Sequence, residues 1–181
     1  MKQFLHSFVS GLTVAKDKVR VGLAQFTDET YQEFLLKDHD NDKDVLKEIT
    51  QLRYRQGGTY LGKGLTFLQT TYFTPEGGSR DNVPKIAIVI TDGSSSDDVA
   101  GPALELRRQG VVIYTIGVGD YDATQLRSVA NSPSKRFLVS INNYQELQTV
   151  MDSMLKTVCT SVEIQTEGKV KCGLTALKLT D

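Results

Sequence analysis

The stretch "KIAIVITDGSSSDDV", Lys85 to Val99, decides how the rest of the chain is read. Its first half, Lys85 to Thr91, is a nearly continuous β-branched run, the signature of a central parallel strand covered on both faces. Its second half places a carboxylate, Asp92, at the tip of that strand, followed by Gly93 and the hydroxyls of Ser94, Ser95 and Ser96. In an open α/β sheet the ligand site is expected in the crevice beyond the carboxyl ends of the strands. Oxygen donors there suit a hard cation such as Mg²⁺, which takes about six oxygens near 2.1 Å and keeps some of them as water.

Outward from this strand, the chain alternates strand and helix. "MKQFLHSFVSGLTVAK" places Phe4, Leu5, Phe8, Val9 and Leu12 on one helical face, so it reads as a core-facing helix rather than as a short signal peptide ending at Ala15. "KVRVGLAQF" (Lys18 to Phe26) reads as a buried strand, and "TYQEFLL" (Thr30 to Leu36) follows too closely for a crossover, which makes the two an antiparallel hairpin. "NDKDVLKEITQL" is an amphipathic helix with acidic residues at its start. Gly57 and Gly58 break the chain before helical spacing resumes at Leu61, Leu65 and Leu68. After Val99 come a helix closed by Gly110, the strand "VVIYTIGVG", a short helix with Asp122 as N-cap, the strand "RFLVSI" and a closing amphipathic helix. This alternation predicts a doubly wound, mostly parallel α/β sheet with one antiparallel edge strand and helices on both faces. Beyond Cys159, "TSVEIQTEGKVKCGLTALKLTD" has the texture of one or two short strands outside the alternation.

Composition narrows the function. A chain of 181 residues, 39% hydrophobic and 24% charged, is enough for one domain with a single sizeable core. Twenty-one basic residues against 22 acidic ones offer no field of one sign to track nucleic acid or an anionic membrane. No apolar run approaches the ~20 residues of a membrane span. Cys159 and Cys172 lack a zinc-type spacing and are compatible with a disulfide closing a C-terminal loop and with two free buried thiols. With His6 on a helix face and His39 in an acidic turn, a Ser/His/Asp arrangement would have to be improvised. "GVGDYD" has Asp122 where a dinucleotide fingerprint needs glycine, and no phosphate loop occurs. Asp38, Asp40, Asp42 and Asp44 alternate like the start of a calcium loop, but Lys43 and Ile49 stand where that loop needs Gly and Glu. A solvated turn into a helix is the better reading. There is no Arg-Gly-Asp and no Asn-x-Ser/Thr sequon.

Three blocks, "GGTYLGKGL" (Gly57 to Leu65), "IAIVITDGSSSDDV" (Ile86 to Val99) and "VVIYTIGVGD" (Val111 to Asp120), occur in the order and spacing of a von Willebrand factor type A (VWA) domain. The chain resembles that family, most closely the A-domains of collagen type VI alpha chains. The resemblance covers residues 1–158 as a VWA-like domain and leaves 159–181 as a C-terminal extension. It implies a Rossmann-like fold and a metal-ion-dependent adhesion site drawn from three loops: an Asp-x-Ser-x-Ser after the first strand, a later Thr, and the Asp of a Thr-Asp-Gly. Thr59 precedes Asp92 by 33 residues and Asp92 sits in such a Thr-Asp-Gly, so these two correspond to the second and third loops. The Asp92-x-Ser94-x-Ser96 spelling is then coincidental.

The resemblance also implies that the first strand and its metal loop should lie before Met1, because "MKQFLHSFVSGLTVAKDKVRVGLAQF" resembles the end of the first helix running into the second strand. Three outcomes stay open: a fragment that folds poorly, direct pairing of the two flanking strands, or filling of the slot by a tail strand such as "SVEIQT" (Ser161 to Thr166). The function implied is that of a secreted, non-enzymatic extracellular-matrix module that binds proteins such as collagens or cell-surface receptors. Its Mg²⁺ would accept a partner carboxylate, with Thr59 and Asp92 as the retained ligands of an incomplete site. The alternatives are a metal-free structural or assembly domain of a larger matrix protein and an intracellular VWA domain in a complex.

Overall fold

The computed structural model describes the backbone of residues 1–165 and the side chains of residues 1–160. Helix α1 (Lys2–Ser10) buries Phe4, Leu5, Phe8 and Val9, the face set by their spacing. Strands β1 (Leu23–Phe26) and β2 (Thr30–Phe34) form the expected antiparallel hairpin, with a bulge between Leu23 and Ala24. Helix α2 (Asp42–Gln51) is capped by Asn41, whose side chain accepts from the Asp44 amide. Helix α3 (Leu61–Phe67) widens into a π-helical turn, Leu68–Tyr72. Then come β3 (Lys85–Thr91), α4 (Ala100–Arg108), β4 (Val111–Val118), α5 (Ala123–Val129), the short α6 (Ser134–Phe137), β5 (Leu138–Ile141), a 3₁₀ turn at Tyr144–Glu146, and α7 (Leu147–Gln165).

Strands β3, β4 and β5 form a parallel sheet in that order, with Lys85 opposite Val111 and Thr91 opposite Gly117. Side-chain alternation along β3 divides the core into two layers. Ile86, Ile88 and Ile90 join Phe4, Phe8, Val45, Met154 and Val158 on the side of α1, α2 and α7. Ala87 and Val89 join Leu61, Leu65, Ala103, Leu106 and Leu126 on the side of α3, α4 and α5. Both faces of the sheet are therefore covered by helices, as its apolar strands require.

Several expectations are corrected in detail. The first strand begins at Leu23 rather than Lys18, because Val19 is diverted into an isolated bridge with Val14. The central strand of the parallel sheet is β4, while β3, read as central, pairs with β4 alone among the described residues. The hairpin forms a sheet of its own, so direct pairing of the strands flanking the slot is not what the chain does. Of the candidate tail strand Ser161–Thr166, residues 161–165 are helical, since α7 continues through Gln165, and Thr166 lies outside the described residues; the preceding turns of α7 already bury Leu147, Met154 and Val158 on one face. Asp122 caps α5 as expected, accepting from the Thr124 and Gln125 amides. Cys159 is disulfide-bonded, and Cys172, the chain's other cysteine, lies outside the described residues.

Candidate functional site

Three loops meet at the carboxyl end of the strands: the β1–β2 turn, the segment from Arg53 to Tyr60, and Asp92 to Val99. Their backbones are tied to one another. The Tyr60 amide donates to the Thr27 carbonyl (3.2 Å), and the Ser96 amide to the Thr59 carbonyl (2.8 Å). Asp28 accepts from the Gly58 amide at 3.0 Å, while Lys63 Nζ donates to the Asp28 carbonyl at 2.8 Å.

Asp97 is the hub of the third loop. Its Oδ1 accepts from the Gly62 amide (2.9 Å) and from Ser95 Oγ (2.6 Å), and its Oδ2 accepts from the Lys63 amide (2.8 Å). Ser95 Oγ in turn accepts from the Leu61 amide (2.9 Å). A carboxylate thus satisfies the first orphan amides of α3 from across the site. The approach is close because position 62 has no side chain: a Cβ there would lie 2.0 Å from the Asp98 carbonyl oxygen. Neither Ser96 nor Asp97 bonds the first amides of α4 among the described residues. Asp98 does so, accepting from the Ala100 and Gly101 amides (3.1 and 3.2 Å), which leaves Asp97 to turn back to α3. Gln125 completes the frame by exchanging two hydrogen bonds with the Ser95 backbone (2.7 and 2.9 Å).

Within this frame Thr59 and Asp92 come to the same place. Thr59 Oγ1 lies 3.1 Å from the point where a Cβ on Gly93 would stand, so the hydroxyl packs directly against the residue after Asp92. Asp92 is half-buried, and its carboxylate forms no hydrogen bond or ion pair among the described residues. Ser94 and Ser96 are exposed. Thr27 Oγ1, just after β1, is buried without a hydrogen-bond partner among the described residues.

The sequence reading missed Asp28, Ser95, Gln125 and the direction of Asp97. The proximity of Asp97 to Gly62 rests on the crossing of α3 and α4, and a lone Gln on a distant short helix carries no local signal. The acidic turn behaves as read: Asp38 accepts from the Leu35 amide, and Asn41 and Asp44 bond to each other at the start of α2. Mg²⁺ needs about six oxygens in near-octahedral geometry. Thr59 and Asp92 supply two side-chain groups, Asp97 and Asp28 are already engaged by amides, and no group of three or more His, Cys, Asp or Glu placed to hold an ion occurs among the described residues. The donor set of these residues does not fit a firmly held Mg²⁺.

The profile of the von Willebrand factor type A domain matches residues 1–153. The chain belongs to this family. The mouse (Mus musculus) collagen alpha-4(VI) chain is 40% identical to this VWA domain over 94% of its length, and the human (Homo sapiens) collagen alpha-6(VI) chain 35% identical over 95%. The domain spans 8% and 7% of those two chains. Among solved structures, proximal thread matrix protein 1 from the mussel byssus, with a zinc-occupied metal-ion-dependent adhesion motif, superimposes with a TM-score of 0.82 at 26% identity. That match covers 88% of this domain and 42% of that chain. The collagen relatives are secreted extracellular-matrix proteins, and this VWA domain is of the matrix type.

Proposed function

We propose that this VWA domain is a non-enzymatic protein-binding module of a larger secreted matrix protein, and that its partners, matrix proteins such as collagens or cell-surface receptors, dock on the platform around Thr59 and Asp92. The observation that carries the reading is the half-buried Asp92 carboxylate, unpartnered among the described residues, on loops that Asp97, Ser95 and Gln125 hold rigid. Rigid loops with one unsatisfied charge favour recognition, because little ordering entropy is lost on binding. His6 lies on α1 and His39 packs edge-on against Phe34, so neither histidine supplies a base to the serines of the platform. Thr59 and Asp92 remain the positions toward which a Mg²⁺ would be drawn, but their two side chains alone do not hold it, and the binding reading does not run through the ion.

The test is surface plasmon resonance of the purified domain over immobilised matrix collagens, comparing wild type with Asp92→Ala, each with and without EDTA. Saturable binding that Asp92→Ala abolishes supports the platform; binding unaffected by Asp92→Ala removes it. A second reading, a metal-free structural or assembly domain, is favoured by the commitment of Asp97 to the amides of α3 rather than to a ligand. Absence of saturable binding by the folded wild type, with and without EDTA, distinguishes it.

A further inference from the structure

Among the described residues Asp92 has no counter-ion. The three loops of the platform carry five carboxylates, at Asp28, Glu29, Asp92, Asp97 and Asp98, against two guanidiniums, at Arg53 and Arg55. The whole chain has a net charge of −1, so the acidic excess is local to this end of the sheet. Exposed Asp120 adds to it, leaving β4 at the same end because Thr91 stands opposite Gly117. The cations nearby are committed elsewhere. Arg55 pairs with Glu33 (3.5 Å) and lies 4.5 Å over the Tyr31 ring, while Lys63 donates to the Asp28 carbonyl and lies 4.8 Å over the Tyr60 ring. The Arg53 carbonyl accepts from Gln25 of β1, which holds that residue beside the hairpin. Asp97 and Asp98 turn their oxygens to the first amides of α3 and α4, whereas both oxygens of Asp92 are unbonded among the described residues. Thr59 Oγ1, packed against Gly93, forms no hydrogen bond among those residues either. Deeper in the platform, the unpartnered Thr27 Oγ1, on a residue only 1% exposed, lies 3.0 Å from the point where a Cβ on Gly57 would stand, and Asp28 Oδ2 lies 2.5 Å from that point. The platform thus holds one carboxylate and two hydroxyl oxygens that no donor among the described residues reaches.

A firmly held divalent ion would make this end a receptor for a partner's acid, but the donor set does not fit one. We infer that the charge preference of the platform is reversed: it takes a basic side chain of the partner, an arginine, directly on Asp92 and without a metal. This inference rests on the platform reading given above. A guanidinium fork matches a carboxylate at two points, and its remaining N–H groups suit a neighbouring acceptor such as Thr59 Oγ1. An ammonium brings the charge without the fork and is more strongly hydrated, so lysine is the poorer match to a half-buried carboxylate. An acidic partner would meet Asp92 as a like charge. The exposed rim of Asp28, Glu29, Asp98 and Asp120 strengthens both effects, steering a basic partner in and rejecting an acidic one.

The test is an NMR titration of the isotope-labelled chain, in EDTA, with N-acetyl-arginine methylamide and with the corresponding lysine and glutamate derivatives. Asp92→Asn keeps the shape and removes the charge, and Thr59→Val removes the neighbouring acceptor; neither breaks a side-chain hydrogen bond among the described residues, and the dispersion of the spectra checks that both remain folded. The expected result is a saturable, salt-sensitive shift of the Thr59, Asp92 and Gly93 amides with arginine, a weaker one with lysine and none with glutamate. Asp92→Asn is expected to weaken arginine binding ~10-fold or more, and Thr59→Val by a smaller factor. No saturable response to arginine, a response undiminished in Asp92→Asn, or an equal response to glutamate overturns the proposal. Glutamate binding at these amides once Mg²⁺ replaces EDTA would restore the metal route and overturn it as well. Failure here and failure of the platform reading are separable. Collagen binding that needs Asp92, with no arginine response, keeps the platform and removes its cation preference; an arginine response at Asp92 without collagen binding keeps the preference and removes collagens as the partners.

Discussion

The Tyr72 hydroxyl donates a 2.5 Å hydrogen bond to the Leu23 carbonyl, joining the π-helical turn after α3 to the first residue of β1 from a ring with no solvent exposure. The ring packs edge-on against Phe67 (5.7 Å between centroids), and a Cβ on Gly22 would come within 2.8 Å of it. Tyr72 thus reaches the hairpin where no strand among the described residues connects it to the parallel sheet. Removing the hydroxyl alone leaves the Leu23 carbonyl without this donor in a buried place. Tyr72→Phe is expected to cost ~1–2 kcal/mol, read as a lower urea midpoint at unchanged m-value.

The same residue makes stability fall at alkaline pH. Burial, followed by the nearby charges of Glu33 and Asp38, raises the Tyr72 pKa far above its ordinary value of about 10. A group whose folded pKa is raised contributes fully below its unfolded pKa, and that contribution is lost as pH climbs from about 10 toward the folded value, because only the unfolded chain releases the proton. Wild type is expected to lose more stability between pH 9 and pH 11 than Tyr72→Phe does. Urea titrations of both proteins at the two pH values measure the difference, and parallel losses would contradict it.

At the platform, residues one turn apart in space divide into those that hold the fold and one that does not. Asp97→Ala removes three hydrogen bonds to a carboxylate and uncovers the first amides of α3, which is expected to cost ~2–3 kcal/mol. Gly62→Ala drives a methyl into the Asp98 carbonyl and is expected to cost ~1–3 kcal/mol or more, since backbone on both sides must shift. Asp92→Ala breaks no hydrogen bond or ion pair among the described residues and is expected to stay within about 0.5 kcal/mol of wild type. Thermal unfolding of the three variants gives the ranking, and an Asp92→Ala as damaging as Asp97→Ala would move Asp92 from binding to structure.

What the sequence made legible was periodic or strictly local. Phe4, Leu5, Phe8 and Val9 announced α1 by spacing, the β-branched run announced β3, and Asp122 announced a cap within three residues of the amides it serves. Thr59 and Asp92 each sit in a motif, and the fold packs their loops together. Asp97 to Gly62 and Gln125 to Ser95 were illegible, because their sequence separations are 35 and 30 residues and the angles at which helices cross fix such meetings. The strand expected at Lys18–Gly22 failed for a similar reason: alternation marks which side chains are buried, and Val19 and Val21 are buried, but it does not say whether a neighbouring strand lies in register to pair with them.

Backbone protection should map the sheet edges residue by residue. Strand β4 is bonded on both sides: β3 pairs from Val111 to Gly117, β5 pairs from Thr115 to Val118, and ahead of β5 the Asn131 side chain accepts from the Ile113 amide at 2.8 Å. Strand β3 has β4 as its one strand partner among the described residues, and successive amides of a strand point to opposite sides. Hydrogen exchange followed by NMR is therefore expected to give uniformly slow amides in β4 and an alternation in β3, with every second amide exchanging ~100-fold faster or more. The side chains of Ile86 to Thr91 are buried on both faces, so the fast set would report the open backbone edge and not loose packing. Uniformly slow exchange in β3 would mean that a strand covers that edge in solution. Protection that rises with protein concentration would then identify the covering strand as one from a second copy of the chain.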